Sequence, residues 1–182
     1  MNEPEFWQVI ERSLLVADGN AEAQLEALEN ELESLTPDRI LGFQQMFDHL
    51  FRVSYRAEIW GVAFIVNGGA SDDGFDYFRG WLIAQGREVF EGTLAKPDSL
   101  ADVINDPDSE WGFEDQDILN LGRRTWCDLT GLDEDAFAAL AGESEPMPEL
   151  GEFLWGDNAG DIDPVKGKKI YPKLWKKFEM GA

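Results

Sequence analysis

Apolar residues recur every three or four positions through most of this chain, and that spacing constrains its fold more than any other feature. In the segment 21–35, short runs rich in glutamate separate four leucines: Leu25, Leu28, Leu32 and Leu35. This is the period of one face of an α-helix. The segment 4–17 carries an apolar stripe of similar period: Phe6, Ile10 and Leu14. We therefore predict an N-terminal helical hairpin that turns at 18–20.

Later segments carry helix start and stop signals. Thr36 can cap a helix that has Pro37 at its first position, and the apolar face of that helix then comprises Ile40, Phe43, Phe47, Leu50 and Phe51. The run 57–66 predicts a buried helix that ends before Gly68 and Gly69, with a strand over 63–66 as the alternative. Further helical patterns occupy 86–95, 96–104, 114–131, 133–142 and 171–178. Since no convincing pair of alternating strands occurs, we predict an all-α fold.

The composition is sufficient for a hydrophobic core. The chain has 182 residues, of which seven are Trp and twelve are Phe, and each buried aromatic ring contributes a large contact area. This length is typical of one domain. We predict a compact multi-helix single domain over 1–182, made of an acidic helical body (1–165) and a basic helical tail (166–182).

The charge of the chain is strongly negative and unevenly distributed. The formal net charge is −22, from 37 acidic and 15 basic side chains. The tail holds six lysines and one acid, so it carries +5, and the body carries −27. Such a body repels nucleic acid and anionic membranes and attracts basic proteins. For the tail we predict packing on its own acidic body or on a neighbouring subunit, so a homodimer stays open.

Several site classes lack the residues that they need. The single cysteine, Cys127, excludes an intrachain disulfide and any multi-cysteine zinc site. The acidic segment 18–29 resembles a calcium loop but has Ala23 where the invariant glycine belongs, so we predict no metal site there. We predict no cofactor. The chain has no secretory leader and no apolar run of membrane-spanning length, so we expect no membrane contact and a cytoplasmic location.

Cysteine and histidine are weak candidates for catalysis. The only histidine, His49, lies within an apolar helical pattern, where a packed or surface role is far commoner than catalysis. Cys127 follows Arg123 and Arg124 by about one turn, and nearby arginines can lower the pKa of a thiol, but a lone buried cysteine is the usual case. A Cys–His pair requires a fold that brings the two residues together.

The densest stretch of the chain is 67–86, "NGGASDDGFDYFRGWLIAQG". Ser71 is a favoured N-cap, and Asp72 and Asp73 follow in the first turn, where carboxylates complement the helix dipole. Apolar side chains then cover most of the helix circumference: Phe75, Tyr77, Phe78, Trp81 and Leu82. Capping and packing therefore explain most of this block as a central helix.

Asp76 and Arg79 are charged residues in the middle of that apolar helix. Their spacing of three places them on one face, where they can pair. The carboxylates Asp72 and Asp73 lie one turn earlier, and Arg52 and Arg56 on a preceding helix can approach the same place. We therefore name six candidate ligand-binding residues: Asp72, Asp73, Asp76, Arg79, Arg52 and Arg56. The cluster is either a structural ion network, which is the commoner case, or a polar site.

Three parts of the chain carry a resemblance to a known family. They are Phe6-Trp7 with Ile10, the block "GGASDDGFDYFRGWLIAQGREVFE" followed by "PDSL" at 97–100, and the closing "PKLWKKF" at 172–178. With these segments the chain resembles a bacterial family known as domain of unknown function 4240. The resemblance implies one intracellular domain and assigns no activity. It directs attention to eight residues without giving them roles: Ser71, Asp72, Asp73, Phe75, Tyr77, Phe78, Arg79 and Trp81.

Two hypotheses of function follow from the sequence. The first is an interaction domain, inhibitor-like or immunity-like, whose acidic body binds a basic protein partner. The alternative is a small-ligand-binding or hydrolase-type module in which Arg79 orients an anionic group and one carboxylate of Asp72, Asp73 and Asp76 acts as the base. The sequence leaves open whether the protein is an enzyme.

Overall fold

The computed structural model describes residues 1–104, 117–142, 145–150, 162–178 and 180, and the elements that it contains there are all helices. The elements are α1 (Glu3–Ala17), α2 (Ala21–Glu33), α3 (Pro37–Val53), α4 (Ala57–Val66), α5 (Asp72–Ala84), α6 (Arg87–Ala95), a 3₁₀ helix (Pro97–Asp102), α7 (Asp117–Thr130), α8 (Glu134–Ala141), α9 (Pro164–Ile170) and α10 (Pro172–Lys177). The predicted all-α class is confirmed. The sequence also predicts loops at 105–114 and 155–164; the first lies outside the described residues, and so does the second as far as residue 161.

Local sequence signals explain where several helices begin and end. The side chain of Asn2 accepts from the backbone N–H of Glu5 at 2.9 Å, and the Glu5 carboxylate accepts from the N–H of Asn2, which closes a capping box at α1. Asn20 caps α2 in the same way, with a bond of 2.8 Å from the Ala23 N–H. At the other end of a helix, Gly131 adopts φ +69° and ends α7.

The N-terminal helices form the predicted hairpin. Helices α1 and α2 pack along each other, and the leucine seam buries Leu28 and Leu32 between them. Across the outer edge of the hairpin, Arg12 and Glu31 pair at 2.7 Å. Helix α3 packs along α7 on the other side of the core. The hairpin is thus held by an apolar seam, to which an exposed ion pair adds little.

Helices α4 and α5 lie in the centre of the molecule. Residues 59–66 of α4 are all buried, so this segment is the predicted helix and not the alternative strand. In α5 the residues Phe75, Phe78 and Leu82 are buried as the sequence predicted. A helix that is apolar on all sides belongs in the core, and this position places α5 between α3, α4, α6 and α7.

The described part of the tail lies on the body. The carboxylate of Asp98, in the 3₁₀ helix, accepts from the backbone N–H groups of Lys173 and Leu174 at 3.0 Å. Lys173 Nζ pairs with Asp102 at 2.5 Å. The hydroxyl of the fully buried Tyr171 donates to the carbonyl of Glu58 at 2.8 Å. Burial raises the pKa of Tyr171 above its usual value, which keeps this donor protonated.

A glycine makes this approach of the tail possible. Any Cβ at Gly61 of α4 would overlap the hydroxyl group of Tyr171. The absence of a side chain at Gly61 therefore creates the slot that the tyrosine ring fills.

Among the helices of the described residues, none combines the length and apolarity needed to cross a membrane.

Candidate functional site

The N-terminal turn of α5 presents two carboxylates to solvent. The Ser71 hydroxyl accepts from the Gly74 N–H at 3.1 Å, so Ser71 is the predicted N-cap. Asp72 and Asp73 follow, and both are exposed. Within the part of the chain that the structure describes, neither makes an ion pair. Their charges are therefore stabilised only by the helix N-terminus and by water.

Arg79 is buried one and a half turns further along α5. Its side chain is 1% exposed, and Nη2 pairs with Asp76 as the spacing predicted. Nη1 donates to the backbone carbonyl of Phe51 at 2.7 Å. Because Phe51 belongs to the last turn of α3, the guanidinium joins the middle of α5 to the C-terminal end of α3.

Aromatic rings enclose the same guanidinium. Its central carbon lies 3.6 Å from the ring centre of Phe51, 4.7 Å from that of Phe75 and 4.9 Å from that of Tyr55. Burial lowers the pKa of Arg79 from its usual value, and the hydrogen bond and charge of Asp76 oppose that shift. The buried Nε–H has no hydrogen-bond partner among the described residues, an omission that costs about 1–3 kcal/mol.

The structure separates the six predicted site residues into groups. Asp76 pairs with Arg79, and Asp72 lines the same pocket. Asp73 faces solvent beside them. Arg52 instead pairs with Glu145, and Arg56 Nε donates to the carbonyl of Val53 at 2.9 Å. The two arginines of the α3–α4 connection therefore do not join the carboxylates of α5.

A small pocket opens beside Arg79, with a volume of about 260 Å³. We call it the aromatic pocket, and its lining residues are Phe51, Tyr55, Trp60, Asp72, Phe75, Asp76, Arg79 and Met147. The ring of Trp60 stacks on Phe75 with centres 4.6 Å apart, and Tyr55 lies 5.7 Å from Phe75. The pocket thus has aromatic walls, and its two carboxylates outnumber its single cation.

A second, larger pocket of about 490 Å³ lies on the other side of Phe51 and Met147. We call it the arginine pocket, and it is lined by Gln45, Asp48, His49, Phe51, Arg52, Arg123, Ala141, Gly142, Glu145 and Met147. Our sequence interpretation did not assign Asp48 or Arg123 to a site. A signal was present, because the polar residues Gln45, Asp48, His49 and Arg52 fall on one face of α3, away from its apolar stripe.

Asp48 is the titratable group of this pocket with a clearly shifted pKa. Desolvation raises the pKa of its carboxyl group, and a 2.8 Å hydrogen bond from Gln44 Nε2 and the charge of Arg123 oppose the shift. His49, on the next position of α3, is exposed. Asp48 is exposed as well, so the arginine pocket combines an accessible carboxylate, whose pKa is raised, with an accessible imidazole.

The pKa of the Cys127 thiol shifts in the direction opposite to the one that neighbouring arginines can cause. It lies half-buried against a small second cluster formed by Ile40, Trp126 and Phe137. Desolvation raises the pKa of the thiol, and so do the carboxylates that follow it, first among them Glu134. Arg123 lowers the pKa of the thiol, but it is the weakest of these influences, and the net shift is upward.

Metal-ligating groups do not cluster in the described ranges, where no three of the His, Cys, Asp and Glu side chains converge on a site. The calcium-like segment 18–29 forms the whole α1–α2 turn and most of α2. Two further acidic segments that the sequence offers, 106–117 and 157–163, lie outside the described residues except at 117 and 162–163.

Comparison with known proteins places the chain in a family. A family model described as "Protein of unknown function (DUF4240)" matches residues 1–126. No curated protein and no solved structure matches the chain. The match contains α1–α6, the 3₁₀ helix and α7 as far as Trp126, and therefore most of both pockets. The segment 172–178 lies beyond it. Because the match covers well over half of its length, the chain belongs to the DUF4240 family.

Proposed function

We propose that this protein is an interaction domain that binds a basic protein partner, and that the aromatic pocket receives a cationic side chain of that partner. The observation that carries the proposal is the pairing of an aromatic wall with unpaired carboxylates. Trp60, Tyr55 and Phe75 form the wall, and Asp72 stands at its edge without an ion pair among the described residues.

The chemistry of the wall suits a lysine or an arginine side chain. Aromatic faces attract cations by about 0.5–2 kcal/mol, depending on how far the cation is desolvated. The alkyl stem of the same side chain can pack against the rings while its charged end meets a carboxylate. Asp76 is already engaged by Arg79, which leaves Asp72 and its neighbour Asp73 to pair with the incoming cation.

The charge of the whole molecule supports the same partner. A net charge of −22 accelerates the approach of basic proteins and slows that of acidic ones. On the other side of Tyr55, Glu58 is exposed and lines a separate depression together with Glu149. Arg52 and Arg56 line that depression too, so its charges balance, and the support for a basic partner comes from the net charge and from the aromatic pocket.

The bonds of Arg79 favour this proposal over the hydrolase alternative. A catalytic arginine needs a free edge to orient an anionic substrate. Arg79 is 1% exposed, and both of its Nη groups already bond within the protein. Binding without chemistry requires no rearrangement of that guanidinium. The cytoplasmic location predicted from the sequence stays a proposal of the same kind, and a homodimer stays open.

Calorimetric titration with a hexa-arginine peptide tests the proposal. We expect the pair Asp72→Asn and Asp73→Asn to weaken binding about tenfold, which corresponds to about 1.4 kcal/mol. The matched control removes two exposed charges from α2, as Glu22→Gln and Glu26→Gln, and should lose much less affinity. Binding should also weaken at about 0.5 M salt, where exposed charges are screened.

Two results would count against the proposal. Equal losses in the two double variants would mean that the peptide responds to net charge and not to the pocket. An unchanged affinity in the Asp72 and Asp73 pair would remove the pocket edge from the interface. Tyr55→Ala, which keeps all charges, provides a further check, since it should weaken binding if the aromatic wall takes part.

A further inference from the structure

The arginine pocket gathers cationic groups in an acidic protein. Only fifteen of the 182 residues are Lys or Arg, and there is one histidine, yet Arg52, Arg123 and His49 line a single cavity. Its volume of about 490 Å³ lies in the range of small-molecule sites. Two acids, Asp48 and Glu145, line it as well.

Asp48 and Glu145 differ in how firmly the fold positions them. Asp48 is fixed on α3 by the hydrogen bond from Gln44, and desolvation there disfavours its ionised form. Glu145 belongs to the segment 145–150, which has no helix or strand, and its side chain is 70% exposed. Glu145 is therefore the acid that can leave the pocket without disturbing a helix.

The carboxylate of Glu145 takes the position on Arg52 that a bound anion would take. Its carboxylate pairs with the Arg52 guanidinium, whose side chain is 29% exposed. Arg123 makes contacts of its own: Nη1 lies 3.4 Å from Glu134, and Nη2 bonds Asn120, a neutral group that leaves the charge of Arg123 only partly compensated. A ligand carboxylate or phosphate can therefore take the place of Glu145 on Arg52 and gain the attraction of Arg123.

We propose that the arginine pocket is a binding site for a small ligand with a carboxylate or phosphate group, held by Arg52 and Arg123, and that Glu145 competes with this ligand for Arg52. The site is separate from the proposed contact with a basic partner, because it uses different charged residues. The two pockets share only Phe51 and Met147. Either proposal can therefore fail without the other.

His49 offers a direct reporter, since it is the only histidine and it lines the pocket. The experiment follows the ring C–H resonances of His49 by NMR while inorganic phosphate or citrate is added at fixed pH and ionic strength. We expect a saturable shift with at least one of the two probes. A stronger response to phosphate or to citrate identifies which anion class the site prefers.

Three variants locate the site. Arg52→Gln should weaken binding about tenfold, the loss expected for a charge-assisted contact. Glu145→Gln removes the competitor and should tighten binding several-fold. Arg124→Gln is the matched control, because it removes the same charge from α7 while its partners, Glu29 and Asp117, lie outside the pocket.

Distinct outcomes overturn the proposal. A His49 resonance that does not respond to either probe would exclude the site. Equal weakening by Arg52→Gln and Arg124→Gln would mean that the anion senses only the overall charge. If Glu145→Gln leaves the affinity unchanged, Glu145 does not compete for Arg52. Arg52 and Glu145 are partly exposed, so these variants should keep the fold, which circular dichroism verifies.

Discussion

Arg79 packs on the ring of Phe51, and Arg52 is the next residue after Phe51 in the chain. The two arginines illustrate two uses of the same side chain. Arg79 is 1% exposed, bonds two helices and lies against three aromatic rings. Arg52 is 29% exposed and pairs with one carboxylate from a segment without secondary structure. The first arginine cannot give up its partners without leaving a buried charge unpaired, whereas the second can exchange its partner for another anion. Burial, and not the presence of an ion pair, separates the structural arginine from the exchangeable one.

The largest expected effect tests the buried side of this comparison. Asp76→Asn leaves the buried Arg79 without its counter-charge, and because Asp76 itself is 42% exposed it should lower the free energy of unfolding by about 2–3 kcal/mol, less than for a fully buried pair. Glu145→Gln makes the equivalent change beside Arg52 and should cost less than about 0.5 kcal/mol. Urea unfolding of both variants measures the difference. Similar losses in the two variants would abolish the distinction that we draw between the arginines.

A second buried charge sharpens the comparison, because Asp98 has no cationic side chain as its principal partner. It is 6% exposed and accepts backbone N–H groups at the start of α10. Asp98→Ala should lower the free energy of unfolding by about 2 kcal/mol, since it leaves those donors unpaired. Asp102→Ala removes a nearby exposed acid and is the control. A loss of less than about 0.5 kcal/mol would show that the tail is held without Asp98.

The smallest expected effect on stability comes from Asp48, which lines the arginine pocket together with Arg52. Its pKa is raised in the folded protein, so the folded state holds its proton more tightly than the unfolded state does. This contribution to stability is present below the unfolded pKa and is lost as the pH rises through the folded pKa. Asp48→Asn should therefore raise stability at neutral pH by a few tenths of a kcal/mol, given the solvent screening at this position. Unfolding at neutral pH and near pH 4 measures it; a variant that is less stable than the wild type at neutral pH would contradict the expectation.

The sequence predicted what depends on neighbours along one helix. The spacing of three between Asp76 and Arg79 predicted their pair, and Ser71 predicted the start of α5. The sequence did not reveal that Arg79 bonds the carbonyl of Phe51, because that contact depends on how α3 and α5 cross. Periodicity identifies the buried face of each helix, and the angle between two helices decides which side chains on those faces meet.

The arginine pocket was also predictable only where it depends on one helix. The polar stripe of α3 was visible in the sequence, whereas its junction with Arg123 and Glu145 required the packing of α7 and the path of the segment 145–150. Cys127 shows that neighbours along the chain can also mislead. The sequence draws attention to the two arginines one turn before it as influences on the pKa of its thiol. Carboxylates at the start of α8, brought back by the turn at Gly131, affect it more.

The slot at Gly61 has a consequence for the order in which a newly made chain can fold. Tyr171 fills that slot and donates to Glu58, more than a hundred positions earlier in the chain. While the ribosome still holds the tail, α4 has emerged but its outer side lacks the ring that covers it. This part of the core therefore closes only after residue 171 has been made, and folding depends on a contact between residues more than a hundred positions apart.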